Sequence, residues 1–252
     1  MTPTFAPLPV ALPLGCHGAR IDVATVAALI AAMPAGEWPE AMRDAADSAR
    51  RDDAAAPVGL RRADFLAGRL TAREAVRSLT GADAQIGRAD DGSPRWPEGV
   101  EGSISHYGGV ACAVARESAG GIGIDIAPLL EGDRLRAVVR RCLTPSELAA
   151  QPSDAAVSLA FAAKEALFKA SHARVQRFVG FDEASVCTDA SECQSVQPVT
   201  SWARRTDSGT WTAALGERLA AGLGVASVNG AYAWDRALVY AVIALPAPSI
   251  GS

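Results

Sequence analysis

At 252 residues the chain accommodates one large domain or two of roughly 100–150 residues, and its 49% hydrophobic and 21% charged content supplies a sizeable core and excludes a disordered chain. A formal net charge of −4 excludes a protein that coats nucleic acid, a task that needs many uncompensated cations on one face. Of its 24 Lys and Arg residues only two are lysines, Lys164 and Lys169, and both fall within one decapeptide, FAAKEALFKA (residues 161–170).

The N-terminal MTPTFAPLPVALPLG has no basic residue before Arg20 and is broken by prolines, unlike a signal peptide. Residues 22–33 read as a short Ala-rich helix ended by Pro34 and Gly36, and its apolar run VATVAALIAAM is shorter than the ~18 residues a membrane span requires. Five cysteines, Cys16, Cys112, Cys142, Cys187 and Cys193, form an odd set without CxxC spacing, which fits reduced thiols better than a disulfide frame or a zinc site. A soluble cytoplasmic protein with no membrane partner is expected.

A polar stretch over residues 43–56 precedes a second helical pattern from about Arg62 to Leu79. There Phe65, Ala72, Val76 and Leu79 share a face beside a stripe of Arg62, Arg69, Arg73 and Arg77, a pattern that also describes an ordinary solvated helix. GADAQIGRADDGSPRWPEG (81–99) reads as a long exposed connection. Three strands are predicted after it: GSISH (102–106), VACAVAR (110–116) and GIGIDI (121–126), with Pro128 closing the group. LTPSELAA carries a capping box, with Thr144 as N-cap, Pro145 at the first helical position and Glu147 three residues on. The helix that follows, capped near Ser153 or Asp154, carries FAAKEALFKA. Beyond Gly180 short strands return, ending in ALVYAVIAL (237–245). The pattern is α+β twice over, with a join near residue 128, giving halves of 1–128 and 129–252.

In GIGIDIA, alternation places Ile122, Ile124 and Ile126 on one face and Gly121, Gly123, Asp125 and Ala127 on the other. Glycine in a strand marks a close approach by a ligand or another backbone, so Asp125 is either beside a ligand or a strand-end carboxylate accepting bonds from a turn. Glu165 and Lys169, four apart, share a helix face. Such a pair is a common surface stabiliser, yet its surroundings here are rich in Ala and Phe. A strand Asp and a helix Glu together suit a hard divalent cation completed by water and phosphate oxygens, and Ser105, His106 and the upstream arginines would supply phosphate donors. The dinucleotide fingerprint, the P-loop and the G-x-S-x-G elbow are each unmatched.

GSISH, GIGIDI and FAAKEALFKA, in that order, resemble the larger single-chain 4′-phosphopantetheinyl transferases of the surfactin and enterobactin synthetase type. LRRADFLAGRLTAREAV (60–76) and GSPRWPEGV (92–100) are similar to the siderophore-associated branch. The resemblance runs from about Arg61 to Lys169. It implies an α+β pseudo-dimer of two similar halves with the active site in the cleft between them, and a monomer. It further implies transfer of the phosphopantetheine arm of coenzyme A to a serine of an apo acyl or peptidyl carrier protein of polyketide, non-ribosomal peptide or fatty acid synthases, with release of 3′,5′-adenosine bisphosphate. By position, Asp125 and Glu165 would ligate Mg²⁺, or Mn²⁺ in its place, and Glu165 would serve as general base, directly or through water. Lys169 would steady the pyrophosphate with Lys164 nearby. Ser105 and His106 would contact phosphate, His106 as a catalytic group, and Arg61, Arg69 and Arg88 would bind the nucleotide phosphates. A Glu near two ammonium groups and a cation is expected to have a lowered pKa.

Many relatives carry a second carboxylate two residues after the Asp, where this chain has Ala127, so water would replace that ligand. A catalytically degenerate relative that binds coenzyme A or a carrier protein is therefore the alternative within the fold. A scaffold protein whose Glu/Lys helix is a stabilised surface is the alternative from another class. Arg134, Arg136, Arg140 and Arg141 would meet an acidic carrier helix or simply face solvent.

Overall fold

The computed structural model describes residues 3–32, 58–89, 92–118, 120–188 and 207–247, the side chains of 58–62 excepted. The polar stretch 43–56, Cys193 and the Arg61 side chain lie outside the described residues. The chain is mixed α and β and forms two compact units, one of residues 1–8 with 14–118 and one of residues 9–13 with 119–252.

In the first unit strand β1 (His17–Asp22), helix α1 (Val23–Ala32) and helix α2 (Val58–Thr80) precede two two-residue strands, β2 (Gly87–Arg88) and β3 (Pro94–Arg95), and the hairpin β4 (Val100–Tyr107) and β5 (Val110–Glu117). The antiparallel sheet has the order β1-β5-β4, so β1, which alternation did not disclose, makes β5 the central strand. Helix α2 lies on this sheet. Leu66, Ala67 and Leu70 pack with Ile21, Val26 and Ala111, and Ala72 and Val76 pack with Ala113 and Ala115, as the predicted apolar face requires.

In the second unit the sheet order is β6-β10-β9-β8-β7, all antiparallel, from β6 (Ile122–Pro128), β7 (Ala184–Thr188), β8 (Ser208–Leu215), β9 (Ser227–Asp235) and β10 (Leu238–Ala244). Its helices are α3 (Gly132–Cys142), α4 (Pro145–Ala149), α5 (Asp154–Val175) and α6 (Glu217–Leu223). The units divide after Ser118, ten residues before the join expected at 128, because β6 pairs along its whole length with β10. Asp125 therefore belongs to the same unit as Glu165, whereas the expected join set them in different halves. Among the described residues no helix is long and apolar enough to cross a membrane.

Helix α5 is built from strong helix formers. Ser153 caps it, its hydroxyl accepting from the Ala156 N–H at 3.3 Å, and Gln176 ends it in the left-handed region at φ 44°. Its inner face, Ala162, Ala163, Ala166, Leu167 and Ala170, packs on β6 and β10. The glycine face of β6 makes this contact possible. A Cβ on Gly123 would lie 1.8 Å from the carbonyl oxygen of Ala166, and one on Gly121, at φ +119°, would lie 2.0 Å from that of Ala170. The close approach read from these glycines is thus an approach of backbone to backbone.

Gly123→Ala should cost at least about 2 kcal/mol by overpacking against a backbone that cannot move aside, lowering the thermal midpoint by roughly 4–8 °C. Gly87→Ala, whose Cβ would meet only the Arg95 side chain at 3.7 Å, should leave it unchanged in the same calorimetric scan.

Candidate functional site

Because β6 and α5 touch along their backbones, side chains flanking that contact meet across it. Lys169 Nζ donates to Asp125 Oδ1 at 2.6 Å and to the carbonyl oxygen of Ile124 at 3.1 Å. Asp125 is 8% exposed, and Glu165, one helical turn before Lys169, is half-buried. Burial, then the like charge of Asp125, pushes the Glu165 carboxyl above its ordinary value of 4.5, with Lys169 pulling the other way. The lowered value expected from the sequence counted two ammonium groups together with a bound cation, whereas within the protein itself burial outweighs the pull of Lys169. Only one of the two ammonium groups faces Glu165, and that one is already bonded to Asp125.

The other ammonium is placed elsewhere. Lys164 is fully buried, and its Nζ donates to Glu147 Oε2 at 2.7 Å and to the carbonyl oxygens of Cys142 at 2.6 Å and Phe181 at 2.9 Å. An ammonium has three donors, and all three are used, so Lys164 does not fill the phosphate-binding role expected of it. Burial lowers its pKa while the hydrogen bond and charge of Glu147 oppose that shift. The predicted capping box at Thr144 is present. Its Glu147, read from the sequence only as a cap, also holds Lys164. The available signal was a capping carboxylate with lone pairs to spare, seventeen residues from an apolar-flanked lysine.

The first unit carries a separate cluster of cations. Arg69 is 8% exposed, its guanidinium carbon lies 5.0 Å from the centre of the Phe65 ring, and its buried Nη1 has no hydrogen-bond partner. Burial first, and the charge of Arg88 second, lower its pKa to about 10. The arginine stripe of α2 thus divides: Arg73 pairs with Asp83 and Arg77 with Glu74 near the surface, while Arg69 turns inward with a donor to spare. A buried cation beside a second cation is a place for an anion. Ser105 and His106, adjacent on β4, face opposite sides of the sheet. Ser105 is buried and His106 exposed, so they do not act on one ligand from one face. On α3 the basic residues Arg134, Arg136, Arg140 and Arg141 are all exposed, and Arg136 pairs with Asp133.

Among the described residues no group of three or more His, Cys, Asp or Glu is gathered as a metal site. Ala127 is 1% exposed in the core beneath α5 and brings no oxygen to the pair. The two carboxylates of Asp125 and Glu165 against the single ammonium of Lys169 leave a negative charge in excess. An oxygen-only donor set in which one carboxylate raises the pKa of the other fits a hard divalent cation that keeps most of its water.

Residues 49–116 match the 4′-phosphopantetheinyl transferase N-terminal domain, and residues 121–226 match the 4′-phosphopantetheinyl transferase superfamily domain. The chain is 36% identical to the 4′-phosphopantetheinyl transferase Npt of Nocardia iowensis over 60% of this chain and 68% of that protein. It is 30% identical to the 4′-phosphopantetheinyl transferase PptT of Mycobacterium tuberculosis over 75% of this chain and 81% of that protein. The chain belongs to the 4′-phosphopantetheinyl transferase superfamily. It is also 36% identical to enterobactin synthase component D of Salmonella typhi, over 50% of this chain and 54% of that protein. Membership makes this transferase an enzyme and coenzyme A its donor. The junction between the two matched regions, at residues 116–121, brackets the division between the compact units.

Because the folded pKa of Glu165 is raised, its ionisation opposes folding, and the cost grows as pH rises above 4.5 and is absent below it. With chelator present, Glu165→Gln should therefore raise the urea midpoint at pH 7 and give a difference that shrinks toward zero as the pH is lowered to about 4.

Proposed function

We propose that the transferase moves the 4′-phosphopantetheine arm of coenzyme A onto a serine of an apo acyl or peptidyl carrier protein in a Mg²⁺-dependent reaction that releases 3′,5′-adenosine bisphosphate. The observation that carries this reading is the meeting of Asp125, Glu165 and Lys169 across the β6–α5 contact, two carboxylates that offer oxygen ligands beside one ammonium. Asp125 and Glu165 would hold Mg²⁺, whose bound charge would neutralise pyrophosphate oxygens. The names of the relatives support the donor arm, and enterobactin synthase component D supports an acceptor on a synthase of the siderophore type.

Glu165 takes the proton of the carrier serine as its Oγ forms a bond to the β-phosphorus of coenzyme A, and the P–O bond to the leaving adenosine bisphosphate breaks with the electron pair on oxygen. Lys169, fixed by Asp125 and the Ile124 carbonyl, meets the charge that develops on phosphate as the bond breaks. Arg69 offers its unpartnered Nη1 and Arg88 its neighbouring charge to the nucleotide phosphates. By the resemblance His106 would contact phosphate, whereas Ser105 is buried on the opposite face of β4. Each unit, a long helix laid on an antiparallel sheet, is one half of the proposed pseudo-dimer. A second reading, coenzyme A binding without turnover, rests on Ala127 in the core.

Intact-protein mass spectrometry of an apo carrier protein incubated with the transferase, coenzyme A and Mg²⁺ should show the gain of one phosphopantetheine arm, abolished by chelator. Glu165→Gln should slow the gain by about 10²–10⁴-fold, the usual contribution of a positioned base. Coenzyme A binding with no gain on any carrier would establish the non-catalytic reading instead.

Arg69→Met removes a buried cation that has no partner for one of its donors. It should leave the thermal midpoint unchanged or raised, while weakening binding of 3′,5′-adenosine bisphosphate by roughly tenfold or more in calorimetric titration, the scale of a lost charge-assisted hydrogen bond. Equal affinity in the two proteins would remove Arg69 from the phosphate site.

A further inference from the structure

The pair Glu147 and Lys164 is the buried titratable cluster that the proposed chemistry leaves unused. Lys164 is 0% exposed, and Glu147 8%. Besides receiving Lys164, Glu147 Oε2 accepts from the Thr144 N–H at 2.6 Å, and Oε1 accepts from the Val186 N–H at 2.8 Å. Counting the carbonyls of Cys142 and Phe181 that Lys164 also engages, one ion pair ties α5 to the end of α3, the start of α4, the turn at Phe181 and strand β7.

A buried ion pair is seldom more stable than apolar side chains of equal volume, so stability alone does not account for it. The face that α5 lays on the sheet is mostly alanine. Apart from Leu159 and Leu167, such a face offers few of the large interdigitating side chains that set a helix's rotation about its own axis by ridges and grooves. Gly123 in β6 and Gly121 just before it fix how near the helix comes, through Ala166 and Ala170. Ser158, accepting from the Leu130 N–H, and Arg174, donating to the carbonyls of Pro246 and Leu223, hold the helix toward its two ends, and at its middle, beside the site, a side chain bonded to three fixed acceptors supplies the constraint. Successive helix residues project about 100° apart, so pinning residue 164 sets the direction of residue 165.

We propose that Glu147 and Lys164 are positioning residues, which hold α5 at the rotation that brings Glu165 and Lys169 to Asp125. Neither touches the substrate in this account. The inference rests on the transferase reading for its kinetic consequence but concerns the helix alone. The ammonium is suited to the task because three acceptors converge on one compact nitrogen, a geometry that a planar guanidinium does not match.

The test is the double variant Glu147→Gln with Lys164→Met. It removes both charges together and keeps a residue able to complete the capping box. The variant should fold cooperatively and retain the parent's KM for coenzyme A within twofold, while kcat falls about 10–100-fold, the scale of an ångström's misplacement of a reacting group. Its affinity for Mn²⁺ in calorimetric titration, a readout of how Asp125 and Glu165 are held, should fall at least fivefold. Binding of 3′,5′-adenosine bisphosphate should be unchanged. Kcat and Mn²⁺ affinity both within twofold of the parent would overturn the proposal. If the double variant fails to fold, Lys164→Arg, which keeps the charge but not the geometry, should fold with kcat and Mn²⁺ affinity lowered at constant KM, and parent-like values there overturn it equally. If the parent itself transfers no arm to any carrier, the functional reading fails, and the Mn²⁺ titration alone decides the positioning role.

Discussion

The contact of α5 with β6, backbone against backbone, is the constraint on which the rest of the second unit depends. Two missing side chains, at Gly121 and Gly123, let the carbonyls of Ala166 and Ala170 occupy the space where methyl groups would stand. With a longer separation Lys169 would not reach the Ile124 carbonyl and the Asp125 carboxylate together, and a four-carbon stem would end in solvent. Short side chains in the sequence thus set the reach of a long one in the structure. The alanines of α5 serve the same purpose from the helix side, at the expense of a face that by itself fixes little about rotation.

The scarcity of lysine becomes intelligible from this geometry. Both lysines sit where several oxygens converge on one nitrogen: a carboxylate and a carbonyl for Lys169, a carboxylate and two carbonyls for Lys164. A tetrahedral ammonium can face such acceptors from different directions, whereas a guanidinium keeps its donors in one plane. Arginine does the surface work, as in Arg73 with Asp83, Arg77 with Glu74 and Arg177 with Glu183. The two lysines nevertheless differ in purpose. One is half-exposed next to the carboxylates of the site, and the other is sealed within the scaffold.

Local patterns carried much of the architecture. The GIGIDI strand, the Thr144 capping box and the helix bearing FAAKEALFKA follow from alternation, capping chemistry and periodicity, each a property of a few neighbouring residues. What escaped depends on tertiary partners. Strand β1 has only HGARID to announce it and becomes a strand by pairing with β5. Helix α3 begins and ends without strong signals, Glu131 giving no side-chain cap. The fates of Lys164 and Lys169 are written in which way the helix turns, and of Arg69 in which arginine of a stripe meets the sheet and an aromatic ring. Sequence spacing makes these residues equivalent, and burial separates them. The raised carboxyl of Glu165 escaped because its burial and its nearness to Asp125, forty residues earlier, are tertiary facts.

The unsatisfied nitrogen of Arg69 has a consequence for how long the folded protein lasts. An anion seated against it binds the native chain and not the unfolded one, so occupancy adds free energy to folding by mass action, about 2.7 kcal/mol when the ligand stands at a hundred times its dissociation constant. An anion that met the spare donor of Arg69 would by the same linkage lower the population of open forms on which proteases act.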